Sequence, residues 1–162
     1  MITIKEISQE GEELEIIRHL FKEYLQELGE DLTFQSCDEE TQNPLKKYNS
    51  ANSGLILLAY MDQKPARCVA LKSLENGICE MKRLYIKPNF RKYGIGKLLV
   101  KEICTKAEIF GYKVMRLDTL ERLSRAINLY EKLGFAKIDA YYHNPLPHVV
   151  YMEKQLLEAP IF

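Results

Sequence analysis

No stretch of this 162-residue chain approaches the roughly 20 consecutive apolar residues that a membrane-spanning helix requires. The first residues, Met1 to Glu6, also lack a basic segment followed by an apolar one, so the sequence predicts a cytoplasmic protein with no membrane partner. Neither sign of charge is in excess: 23 Lys and Arg balance 23 Asp and Glu, which argues against a nucleic-acid partner. The four cysteines, Cys37, Cys68, Cys79 and Cys104, form no C-x-x-C pair and have no histidines near them to complete a zinc site. They read as reduced thiols, mostly packed in the core. His19, His143 and His148 are too few and too scattered to ligate a metal, and no metal is expected.

What is present suits a single globular domain over residues 1–162: 46% of the residues are hydrophobic and 28% charged. The balanced charge is unevenly distributed. Residues 1–40 carry twelve acids against three bases, whereas residues 79–101 carry seven bases against Glu80 alone. The second stretch is where an anion should bind; the acidic segment could draw in a cationic amine.

Weak alternation predicts a first strand over Ile2–Ile7. Leu14, Ile17, Phe21, Tyr24, Leu25 and Leu28 fall at helical spacing over Glu12–Leu28, and Gly29 follows as a stop. Residues 30–53, with Leu32, Phe34, Leu45 and Tyr48 as apolar anchors, suggest a short helix between loops. Leu55–Tyr60 and Ala66–Leu74 read as a hairpin around a polar turn containing Asp62, and Ile78–Ile86 as the next strand, which Pro88 stops. Gly94 opens a helix running to Phe110, Val114–Asp118 returns to strand, and a helix over Ser124–Leu133 ends before Gly134. Strands over Phe135–Ala140 and Val149–Gln155 complete the order, a mixed α/β sheet with helices packed on it.

Seven of these residues, Arg91-Lys92-Tyr93-Gly94-Ile95-Gly96-Lys97, form a basic glycine loop between a strand and a helix. Amides at a helix N-terminus have no intrahelical acceptor and bind phosphate readily. Two familiar phosphate loops fail on spacing. A P-loop needs a glycine five residues before Gly96, where Arg91 stands, and Ser or Thr after Lys97, where Leu98 stands; a dinucleotide fingerprint needs a third glycine at Leu99. The surviving pattern, an arginine, two residues, a glycine, one residue and a glycine, resembles the acyl-CoA loop of the Gcn5-related N-acetyltransferase (GNAT) superfamily. The resemblance extends over Cys79–Pro88, Met115–Thr119 and Ala126–Phe135, and covers roughly residues 50–155. The Tyr141–Pro147 loop is similar to loops of bacterial members. The resemblance implies a mostly antiparallel central sheet of about six to seven strands flanked by about four helices.

It also implies roles. The pantetheine arm of acetyl-CoA, the co-substrate, would run beside Leu84, Tyr85 and Ile86, and its pyrophosphate would rest on Arg91, Lys92, Tyr93, Gly94, Ile95, Gly96 and Lys97. Glu80 matches a general base, with an ion pair to Lys82 or Arg83 as its structural alternative; Tyr130 matches the general acid that protonates the leaving thiolate, with core packing as its alternative. Many relatives carry an asparagine where Leu123 stands. The implied reaction is direct transfer of acetyl to a small-molecule or amino-acid-like amine. Acetylation of a protein N-terminus or lysine and non-catalytic acyl-CoA binding are the alternatives, and a homodimer is an open possibility.

Overall fold

In the computed structural model, residues 1–30, 37–86 and 94–156 are described. The expectations for Leu32, Phe34, Pro88, Arg91, Lys92 and Tyr93 lie outside them. Strand β1 spans Ile2–Glu6 and helix α1 spans Glu12–Leu28. Two short helices follow, α2 (Cys37–Gln42) and α3 (Pro44–Lys47), where the sequence suggested one, so the described residues hold five α-helices. Then come β2 (Leu55–Met61), β3 (Lys64–Ser73), β4 (Ile78–Ile86), α4 (Ile95–Phe110), β5 (Val114–Leu120), α5 (Ser124–Lys132), β6 (Ala136–Ile138) and β7 (Val149–Gln155). β6 is shorter than the apolar pattern suggested.

The seven strands form one mixed sheet in the order β1-β2-β3-β4-β5-β7-β6. Neighbours are antiparallel except β4 and β5, which are parallel and joined through α4. Alternation along each strand divides the apolar side chains between two faces. On one face, Leu57, Val69, Met81 and Met115 pack with Ile95, Leu99 and Ile103 of α4 and Ile127 and Tyr130 of α5. On the other, Ile56, Leu58, Cys68 and Ala70 pack with Leu14, Ile17, Leu20 and Phe21, the apolar stripe of α1. Cys68, Cys79 and Cys104 are buried free thiols; burial pushes Cys104 up to about 11 and the other two higher, so all three stay protonated. No helix among the described residues is long and apolar enough to cross a membrane.

One buried ion pair ties the α2–α3 segment to this sheet. Arg83 Nε donates to Glu40 Oε1 at 2.8 Å and Nη2 to Glu40 Oε2 at 2.9 Å. The Tyr48 hydroxyl donates to the same carboxylate at 2.8 Å, and Lys47 Nζ lies 3.2 Å from it. Burial alone would raise the Glu40 carboxyl, but Arg83, Lys47 and Tyr48 together hold it below its ordinary 4.5. Arg83→Ala, which strands that carboxylate, should therefore lower unfolding stability by roughly 3–5 kcal/mol in urea denaturation. Lys46→Ala, which removes only an exposed pair with Glu39, should leave it nearly unchanged. Because the folded-state value is depressed, the Glu40 contribution is complete above pH 4.5 and is lost as pH falls through the lower folded value. Thermal melts should accordingly show a smaller acid-induced drop in Tm for Glu40→Gln than for the wild type.

Candidate active site

β4 departs from regular pairing at one place. Cys68 pairs with Tyr85 and Ala70 with Lys82, so Arg83 and Leu84 both fall opposite Val69. Arg83 has φ of 58°, a strained value for a residue with a Cβ, at a cost on the order of 1–3 kcal/mol. This bulge changes the alternation of the strand. Before it, Glu80 and Lys82 face α1; after it, Tyr85 does so, and Arg83 also reaches Glu40 on that side.

Just before the bulge, the sheet parts. β4 and β5 are registered at Ile78 with Val114, Cys79 with Met115 and Glu80 with Arg116, and no further pair is formed among the described residues. The β5-facing edge of β4 from Met81 to Ile86 is thus open, and Leu84, Tyr85 and Ile86 lie on it. At the start of α4, Gly94 has φ of 66°, a conformation that suits glycine. Gly96 is required by close approach: a Cβ there would lie 2.8 Å from Arg67 Nη1 and 3.1 Å from Leu129 Cδ2. Gly96 therefore packs on a buried arginine of β3, only 1% exposed, which the sequence reading did not single out.

Glu80 lies at the floor of a cavity of about 1020 Å³ on the α1 side, lined among others by Lys72, Ile78, Arg116, Tyr141 and His143. It is 3% exposed. The Tyr141 hydroxyl donates to Glu80 Oε2 at 2.5 Å, and Lys82 Nζ lies 3.4 Å from Oε1. The ion pair weighed as an alternative for Glu80 is thus present with Lys82, but inside the protein rather than on its surface. Burial, reinforced by the Glu80 charge, raises the Tyr141 hydroxyl far above its ordinary 10.0, so it remains a donor. Arg116 stacks over the Tyr141 ring at 5.1 Å while its Nε donates to Glu153 at 3.1 Å.

The loop after β6 is fastened to the sheet through its aromatics. Tyr142 donates to Asp118, Asn144 Nδ2 donates to the same carboxylate at 3.3 Å, and the rings of Tyr141, Tyr142 and Tyr151 lie 5.3–5.6 Å apart. A smaller cavity of about 40 Å³ nearer the bulge touches Tyr24, Arg83, Asp118, Leu123 and Asn144. Tyr130 comes from the opposite face, buried on α5 against Phe135. Burial raises its hydroxyl well above the ordinary 10.0, and Tyr24, Arg67 and Asp118 are the charged or polar groups it feels. Glu80 and Tyr130 therefore lie on opposite sides of the sheet, and Tyr130 is not among the residues that line the cavity floored by Glu80. Of the N-terminal acids, only Glu39 and Glu40 line the large cavity among the described residues, and both are paired with cations.

Comparison with known proteins agrees with this geometry. Residues 14–135 match the sequence model of the Acetyltransferase (GNAT) family. The chain is 46% identical over 147 residues to an uncharacterized N-acetyltransferase of Schizosaccharomyces pombe, covering 90% of each chain. A GNAT-family acetyltransferase from Staphylococcus aureus shares the fold with a TM-score of 0.78 at 18% identity, covering 97% of this chain and 100% of that one. The PaiA N-acetyltransferase from Thermoplasma acidophilum, solved in complex with coenzyme A, has a TM-score of 0.74 at 24% identity, covering 96% and 99%.

The tight packing at Gly96 is open to test. Gly96→Ala must displace the buried Arg67 guanidinium and should lower stability by about 1–3 kcal/mol, read as a reduced urea midpoint.

Proposed function

The chain belongs to the GNAT family of acetyltransferases and is an acetyl-CoA-dependent enzyme; from that premise we propose that it acetylates the primary amine of a small-molecule or amino-acid-like acceptor by direct attack in a ternary complex. The observation that carries this reading is the roomy cavity floored by Glu80 and opening beside the parted strands.

The residues present fit the co-substrate. The open edge of β4 at Leu84, Tyr85 and Ile86 suits an extended arm bonded to the main chain, as an added strand would be. Gly94, Ile95, Gly96 and Lys97 begin α4, where first-turn amides favour a diphosphate, and Arg91, Lys92 and Tyr93 precede them in sequence. Leu123 contributes no polar group there, so backbone amides and the basic loop carry the binding. Acetyl-CoA, when bound, supplies an acyl carbon activated as a thioester.

The chain's own groups then handle charge and protons. The Leu84 amide beside the bulge donates to the carbonyl oxygen as negative charge grows on it. An alkylammonium has a pKa of about 10 and must lose a proton before its nitrogen can attack. Glu80 accepts that proton, since a carboxylate offers about four acceptor positions and Tyr141 and Lys82 occupy only part of them. Four residues of strand separate Glu80 from Leu84, roughly 13 Å of backbone, so water carries the proton between them. As the new C–N bond forms and the C–S bond breaks, the nitrogen sheds its second proton and the leaving sulfur gains one; Tyr130 passes its hydroxyl proton to the sulfur and takes up the nitrogen's, so that its raised pKa leaves it neutral before and after the step.

Thermal melts should show a rise in Tm with acetyl-CoA and coenzyme A and none with ATP or NAD. Tyr130→Phe should lower kcat about 100-fold while leaving coenzyme A affinity close to wild type. An unchanged kcat would remove Tyr130 from the mechanism. Assays of free amines against peptides distinguish small-molecule from protein acetylation.

A further inference from the structure

Resting on the acetyltransferase reading, we propose that the acceptor carries a carboxylate in addition to the amine it presents, and that Lys72, aided by Lys82 and Arg116, holds that carboxylate beside Glu80.

The proposal comes from a row of side chains across the sheet. Lys72 on β3 is the registered partner of Glu80 on β4, which is the partner of Arg116 on β5, which is the partner of Glu153 on β7. Registered neighbours on one face have Cβ atoms about 5 Å apart. The row alternates cation, anion, cation, anion, and Lys72, Glu80 and Arg116 of it line the cavity. A carboxylate held over Lys72 or Arg116 leaves the acceptor's amine to extend along β4 toward Leu84, with water linking it to Glu80.

The charges along this row are not equally satisfied. Lys46 lies 2.7 Å from Glu39, Lys47 lies 3.2 Å from Glu40, Lys82 lies 3.4 Å from Glu80 and Arg116 lies 3.1 Å from Glu153. Lys72 lines the same cavity, is half-buried, and has no carboxylate within ion-pair distance among the described residues. A half-buried ammonium without a counter-charge is costly, and an incoming carboxylate removes that cost. The crowding of cations shows at Lys47: burial lowers its ammonium below the ordinary 10.5, Glu40 opposes this, and Lys82, Arg83 and Lys72 lower it further. Glu75 also borders the cavity but stands exposed in the turn before β4, where water screens it. The positive potential is thus concentrated at the floor, next to the proposed base.

The test is steady-state kinetics with acetyl-CoA and a matched panel: each common amino acid, its carboxamide, the amine lacking the carboxyl group, and the aminophosphonate analogue. For the best acceptor, kcat/KM for the acid should exceed that for the carboxamide by about 10- to 100-fold, with most of the difference in KM. Lys72→Met should bring the two to within about threefold, with Tm and coenzyme A binding measured to confirm that the variant is folded. Equal use of acids and carboxamides, a preference for the phosphonate, or an unchanged ratio in folded Lys72→Met would each overturn the carboxylate assignment while leaving the acetyltransferase reading intact. Failure to acetylate any amine in the panel, with acetyl-CoA binding demonstrated, would instead overturn the small-acceptor reading and this inference with it.

Discussion

The bidentate contact between Arg83 and Glu40 organises the face of the sheet on which the large cavity lies. Arg83 occupies a backbone conformation that a residue with a Cβ avoids, and its guanidinium is anchored at the far end by a carboxylate that is itself buried. Each is tolerable because of the other: the ion pair offsets desolvation at both ends, and the bulge turns the arginine toward the helix that carries its partner. The cavity wall made by α2 and α3, short helices that could not persist alone, depends on that connection. Tyr48 and Lys47 close around the same carboxylate, so one buried anion on α2 collects three groups, from β4 and from the end of α3.

The parting of β4 from β5 interrupts a sheet that otherwise separates its two layers of helices. Tyr130 belongs to the α5 layer and Glu80 to the opposite face, and the proposed mechanism has them act on one substrate where the pairing stops. The polar groups there are held rather than loose. Tyr141 holds Glu80, Tyr142 and Asn144 hold Asp118, and Arg116 lies between Glu153 and the Tyr141 ring. Such fixed donors and acceptors need little rearrangement as charge shifts during acyl transfer.

The local elements were largely legible in the residues. The helical spacing from Leu14 to Leu28, the glycines bounding α1 and α4, and the Asp62 turn each produced the element expected, because each is decided by contacts a few residues apart. The turn that joins β2 to β3 uses positive φ at both Asp62 and Gln63, as a two-residue hairpin loop requires. Where neighbours in sequence mattered less, the reading lost detail: α2 and α3 were seen as one short helix, and β6 kept only three of its expected residues because only Ala136, Lys137 and Ile138 find partners on β7.

Sequence alone determined the order of strands and helices and the glycine loop, since periodicity, stop signals and motif spacing are all properties of adjacent residues, while the candidacy of Glu80 and Tyr130 came from the resemblance to the GNAT family. Only the tertiary structure decided what those residues meet. Lys72 and Glu80 lie 8 positions apart and Glu80 and Arg116 lie 36 apart, yet the three become neighbours through strand register, and Tyr141 reaches Glu80 from 61 residues away. The bulge at Arg83 depends on a carboxylate 43 residues earlier, and the packing at Gly96 on a buried arginine of β3. Register, burial and charge pairing arise between segments distant in the chain, and those are the terms that give this site its chemistry.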